Sequence, residues 1–155
     1  MNKMLGLKFY GRRMGVLVLI ILNICCGTAP KPDDLKIEET KQLWQTIPIY
    51  PEMTETAKNN IAEDSPLVIT KTYKSNQDFT DVQQFYVRQL APAGWQFVEE
   101  SEVKHNGRIR GERLVEFTKG DYRLIIQFAG QLQAELGWDY AIALSPLDYW
   151  KEMVF

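Results

Sequence analysis

One histidine, two cysteines and acidic pairs such as Asp33-Asp34 and Glu99-Glu100 are the groups from which this 155-residue chain would have to build a reactive centre. A hydrolytic nucleophile requires a base within hydrogen-bond reach and a third group to orient that base. His105 is the lone imidazole, and it sits beside Asn106-Gly107, a dipeptide suited to turning a hairpin. A turn-tip histidine reads as a solvated polar residue. No G-x-S-x-G elbow is present. Zinc needs three or four N, S or carboxylate ligands, which one histidine and no cysteine beyond residue 26 do not supply. Asp33-Asp34 and Glu99-Glu100 read as solvated surface, because nothing near them in sequence implies desolvation. No glycine-rich loop opens a helix to cradle a phosphate. The expectation is a protein that is not an enzyme and holds no metal or cofactor.

Binding chemistry has more candidates. The segment KHNGRIRGER concentrates Lys104, Arg108, Arg110 and Arg113 against a single acid, Glu112. These cations either balance Glu99, Glu100 and Glu102 across a hairpin or contact an anionic lipid headgroup or acidic polymer. The tail PLDYWKEMVF crowds apolar residues, and Tyr149, Trp150 and Phe155 are its candidate partner-docking groups if they do not pack back on the domain. A third candidate is a pocket lined by Trp95, Tyr122, Trp138 and Tyr140, an aromatic set able to hold a lipid or sugar and equally able to build an ordinary core.

The charge distribution narrows the partners. The whole chain carries −2, from 18 Lys and Arg against 20 Asp and Glu. Four of those cations, Lys3, Lys8, Arg12 and Arg13, precede residue 27 with no acid among them, so the remainder stands near −6. Neutralising nucleic-acid phosphates needs clustered Lys and Arg in excess, so no nucleic-acid partner is expected.

The first 26 residues read as a leader. A basic stretch precedes an apolar run from Met14 to Ile24, followed by Cys25-Cys26-Gly27. That run is about half of the roughly 20 residues a spanning helix needs. Adjacent cysteines do not normally close a relaxed disulfide, so another use for them is expected. Their position resembles the cleavage box of bacterial lipoproteins, which makes Cys26, or less favourably Cys25, the candidate lipidation site. An uncleaved signal anchor and simple export remain the alternatives, and Arg12-Arg13 is a weak twin-arginine signal. The resulting division is a signal peptide over 1–26, a linker over 27–36 (GTAPKPDDLK, broken by Pro30 and Pro32) and one domain over 37–155.

The elements that must position these residues follow from periodicity. IEETKQLWQT suggests a short helix from Ile37 to Thr46 with Ile37, Lys41 and Trp44 on one side, stopped by Pro48. PIYPEM predicts an extended edge segment, and Thr56–Pro66 a loop. LVITKTYK predicts a strand. Ser75, Asn76 and Asp78 offer caps for a helix whose apolar positions Phe79, Val82, Phe85, Tyr86 and Leu90 recur at threes and fours. Gly94 ends that helix, and Trp95 folds back on it.

Four further strands are expected. WQFVEESEVK alternates only in part. In the next two strands Val115 with Phe117, and Tyr122, Leu124, Ile126 with Phe128, share single faces; in the last, Trp138, Tyr140, Ile142 and Leu144 do. Arg113, Glu116, Arg123, Gln127 and Asp139 are assigned to the opposite, polar face. The fold class is therefore α+β: two layers, one antiparallel sheet of about five strands in strand–helix–meander order, packed by one main helix.

Tyr50-Pro51-Glu52-Met53, the run FYVRQLAPAGW from Phe85 to Trp95, and the strand pair around Phe117-Thr118-Lys119-Gly120 resemble a recurring bacterial envelope domain with a YPxx…FYxxxLxxxGW pattern. The likeness covers roughly Pro48 to Ser145, with Glu52-Met53 where Gly-Ala is usual and Pro92 inside the last helical turn. The resemblance implies the fold and an exported, membrane-anchored location in the cell envelope, at the inner or outer membrane, and no catalytic residue. Together these observations describe a tethered, non-enzymatic binding or scaffolding module that meets an envelope protein or the cell wall, with a small-ligand carrier or enzyme as the alternative.

Overall fold

The structure, a computed structural model, describes residues 32–56, 65–105 and 107–149. Cys25, Cys26, the leader, residues 57–64, Asn106, Trp150 and Phe155 lie outside the described residues.

Six strands form one antiparallel sheet: β1 (Thr54–Glu55), β2 (Ile69–Lys74), β3 (Gln96–His105), β4 (Arg108–Lys119), β5 (Tyr122–Phe128) and β6 (Tyr140–Pro146), ordered β1-β2-β6-β5-β4-β3. Three α-helices accompany them: α1 (Pro32–Trp44), α2 (Phe79–Leu90) and α3 (Gln133–Leu136). The expected two-layer α+β arrangement holds, with the two-residue β1 as a sixth strand. β3 through β5 form the meander, and β6 then inserts between β5 and β2, pairing Ile142 with both Ile126 and Lys71.

α2 forms where the stripe predicted it, because its apolar spacing leaves one face that only burial satisfies. Phe79, Val82, Tyr86 and Leu90 are buried against the sheet. Each contributes roughly 1.5–3 kcal/mol of transfer free energy. Opposite them stand Val115 and Phe117 of β4, Tyr122, Leu124 and Ile126 of β5, Tyr140, Ile142 and Leu144 of β6, and Tyr73 of β2. Phe85 is half-buried and meets Tyr50 edge-on at 5.1 Å. Gly94 takes φ 85°, and the Trp95 N–H donates to the Leu90 carbonyl, which seals the helix end. At the other end Asp78 occupies the N-cap through its backbone carbonyl, which accepts from Asp81 and Val82, with no side-chain cap bond.

Five expectations need correction. The helix read from Ile37 starts at Pro32, so the last five residues of the assigned linker belong to α1. Proline is tolerated at a first helical position, and Asp33 and Asp34 complement the helix dipole there. The buried side of α1 centres on Thr40, with Leu43 and Trp44 packed on the core, rather than on Lys41. Tyr50-Pro51-Glu52-Met53 is a turn, closed by Met53 N–H to the Tyr50 carbonyl at 3.0 Å, and strand pairing begins only at Thr54. Proline at the second position of a turn is favoured by its fixed φ.

Trp138 does not share a face with Tyr140. β6 begins at Tyr140, and Trp138 packs with Ala129, Ala141 and Leu136 in a separate small cluster. Arg113 lies on the helix-bearing face, since it shares the two-residue period of Val115 and Phe117. Its guanidinium sits 4.2 Å from the centre of the Phe79 ring.

The partial alternation of β3 also has a cause. Its register with β4 shifts between Phe97 and Glu99 and again between Glu102 and Lys104. At the first shift Val98 is the extra residue on β3, which exchanges the faces beyond it; at the second, one β3 residue, Val103, stands opposite three of β4, Arg110 to Glu112.

Candidate functional site

α1 lies along the end of the sheet where β4 turns into β5, and the space between them is a groove of about 690 Å³. An ion pair and apolar packing hold the helix there. Lys36 Nζ reaches Asp148 Oδ2 at 2.6 Å. Within α1 the buried Thr40 hydroxyl donates to the Lys36 carbonyl one turn earlier, at 2.7 Å. Leu43 and Trp44 pack on the main core. The Leu147 N–H donates to the Asp121 carbonyl at 2.8 Å, which fixes the segment after β6 against the β4–β5 turn.

The groove has an apolar floor and a charged rim. Leu43, Tyr122 and Pro146 supply the floor; Lys36 and Glu39 from α1, and Lys119 and Asp121 from the turn, supply charges of both signs. Tyr122 is nearly buried, and its hydroxyl pKa is pushed up, first by burial and then by the hydrogen bond to Glu39, against a smaller opposing effect of Thr40. The Lys36–Asp148 hydrogen bond raises the lysine pKa and lowers that of the aspartate, so the pair stays ionised at neutral pH. The lining residues form no nucleophile–base–orienter relay. What the groove can do is hold a molecule with an apolar body and a polar end, in a volume within the usual range for small-ligand sites.

A second depression of about 430 Å³ lies beside the short edge strand, lined by Trp44, Ile47, Met53, Lys71, Tyr73 and Glu55 among others. Lys71 Nζ contacts both oxygens of Glu55 at 2.9 Å across it.

Of the two readings of the aromatic set, the described residues follow the core one. Trp95 and Trp138 are each 3% exposed and Tyr140 is fully buried, all as packing residues. Phe79, Val82, Tyr86 and Leu90 of α2 pack into the same core cluster as Trp95 and Tyr140. Only Tyr122 of the four borders a groove, and it does so from below α1. Of the basic segment, Lys104 and Arg108 are exposed, while Arg110 stands 3.9 Å from Glu135. Arg113 bonds Glu100 and covers Phe79, so it belongs to the packing rather than to an outward contact set. His105 ends β3 and pairs with Arg108 across the hairpin. Tyr149 is half-buried. No cluster of three or more His, Cys, Asp or Glu able to hold a metal occurs among the described residues. None of the described helices is long and apolar enough to cross a membrane.

Sequence reasoning missed the α1 contribution. Lys36 and Glu39 carry no local signal, because their partners lie more than 80 residues away.

Residues 53–135, more than half of the chain, match a family model described as START domain-like. The chain belongs to the START domain-like family. No curated protein and no solved structure matches it. The START domain-like span runs from the start of β1 into α3 and so contains the turn side of the groove, Lys119 to Tyr122. α1 and β6, which supply the other wall and Pro146, lie outside that span.

Proposed function

We propose that the protein is a membrane-tethered, non-enzymatic binding module of the bacterial cell envelope, whose groove under α1 takes a small amphipathic ligand. START domain-like membership supports a ligand-binding module. The observation that carries the site is the groove's make-up, an apolar floor of Leu43, Tyr122 and Pro146 beneath a rim of Lys36, Lys119, Glu39 and Asp121. The tether is supported by the leader ending at Cys25-Cys26 and by the likeness to envelope lipoprotein domains.

Two measurements test the two halves. Full-length protein in detergent micelles is titrated with a dansylated fatty acid. Saturable binding is expected, weakened by about tenfold or more in Leu43→Glu, since a buried carboxylate would face the apolar body of the probe. An absence of saturable binding, or a Leu43→Glu variant that binds as well, overturns the groove assignment. Mass spectrometry of the mature N-terminus is expected to find an acylated Cys26. Intact Met1 with an unmodified Cys26 on cytosolic protein overturns the tether.

A further inference from the structure

We infer that the tip of the β3–β4 hairpin docks on an anionic lipid surface, and that, with the tethered domain standing upright on its anchor, this surface belongs to a bilayer other than the one holding the N-terminus; the second clause rests on the proposed tether.

The hairpin is the longest ribbon among the described residues. β4 pairs with β5 only as far as Arg113 opposite Phe128, whereas its pairing with β3 continues to Arg108 opposite His105. Gly130 abuts the backbone of Arg110, Gly111 and Glu112, so the ribbon is supported up to that level and free beyond it. Past that support, Lys104 pairs with Ile109, and Lys104 and Arg108 are exposed. Alternation places Arg108 on the face opposite Lys104 and Ile109, so cations stand on both sides of the ribbon. Ile109, at 52% exposed, lies between Arg108 and Arg110. An apolar side chain bracketed by cations at a projecting tip fits an interface of anionic headgroups over acyl chains. A purely polyanionic partner would use the cations and leave Ile109 without a role.

The pole matters as much as the charge. Lys36–Asp148 and Leu147–Asp121 place both the start of α1 and the segment after β6 at the β4–β5 turn. The hairpin tip is at the other end of β4, 12 residues or roughly 37 Å away. Five residues separate Cys26 from Pro32, and so few residues reach at most about 20 Å. End-on insertion of the tip into the bilayer that anchors Cys26 is out of that reach.

The test places the full chain in phosphatidylcholine vesicles and adds acceptor vesicles of phosphatidylcholine alone or mixed equally with phosphatidylglycerol. Co-sedimentation with the anionic acceptors only, weakened by salt, is expected. The Lys104→Gln/Arg108→Gln/Arg110→Gln variant should lose on the order of 100-fold in capture, from about fivefold per cation. Ile109→Ser should lose about fivefold more than salt alone explains. Unchanged thermal melting of both variants shows that the losses are not unfolding. Absence of capture, or capture indifferent to these substitutions, overturns the inference. So does equal capture by soluble dextran sulfate with no Ile109 dependence, which would make the partner a polymer. If the chain does not stay in the first vesicles, the tether fails separately, and free protein added to the anionic vesicles still decides whether the hairpin binds.

Discussion

Glu100 accepts hydrogen bonds from two elements, Arg113 Nη2 of β4 and Gln83 Nε2 of α2, the latter at 2.6 Å. With Arg113 over Phe79, this ties the edge strand β3 to both the sheet and the helix. A double-mutant cycle of Glu100→Ala and Arg113→Met is expected to give a coupling of about 1–2 kcal/mol in urea unfolding, the methionine preserving the contact with Phe79. Three buried tyrosines set the alkaline limit. Burial, with a smaller effect of Glu55, pushes Tyr73 up to about 12. Burial likewise raises Tyr86 and Tyr140, whose hydroxyl donates to the Gln77 carbonyl at 2.7 Å. Because the folded state holds the neutral phenol, stability from Tyr73 is fully present below pH 10 and is lost as pH rises from there through 12. Urea midpoints should therefore hold level up to about pH 10 and fall beyond it, and Tyr73→Phe should flatten that fall. Some of this was legible in the chain. The two-residue period that places Val115 and Phe117 inward places Arg113 inward as well, and its charge obscured what its spacing stated.

α2 was readable from end to end because every local feature agreed: the stripe, the leucine at its close, and the glycine beyond it. α1 and β3 were not, for different reasons. α1 has a weak apolar stripe and is held by partners distant in sequence, Asp148 and Tyr122. β3 carries an inserted residue at Val98 and faces extra β4 residues beyond Glu102, and no periodicity survives an inserted residue. Two glycines separate conformation from crowding. At Gly94 (φ 85°) an added Cβ meets nothing nearer than Lys119 Cε at 3.8 Å, so Gly94→Ala should cost only about 1 kcal/mol, the left-handed penalty. At Gly130 (φ 55°) the Cβ would fall 2.4 Å from the Gly111 carbonyl carbon and 2.6 Å from Arg110 O and Glu112 N. Backbone cannot rotate aside as a side chain does, so Gly130→Ala should cost about 3 kcal/mol or more, read from the urea midpoint.

At the scale of the molecule, the layer count and strand order class were foreseeable from the meander, while the groove was not, since one wall comes from a segment read partly as linker. The sheet is closed by its last strand: β6 lies between β5 and β2, and all five of the β2–β6 pairs join residues about 70 apart in sequence. Ile142→Ala, at a fully buried site, should cost about 2–5 kcal/mol and lower amide protection in β2 and β5 together, as expected of one cooperative unit, with the hairpin tip exchanging independently. Synthesis proceeds from the N-terminus, so the keystone of the sheet is the last of its six strands to leave the ribosome or to emerge from a translocation channel. Until Pro146 has emerged, the facing sides of β2 and β5 have no neighbour and offer raw backbone to any passing strand. A premature stop codon anywhere before β6 would thus leave a sticky, half-built sheet instead of a shorter working protein, and quality-control proteases would be its natural fate.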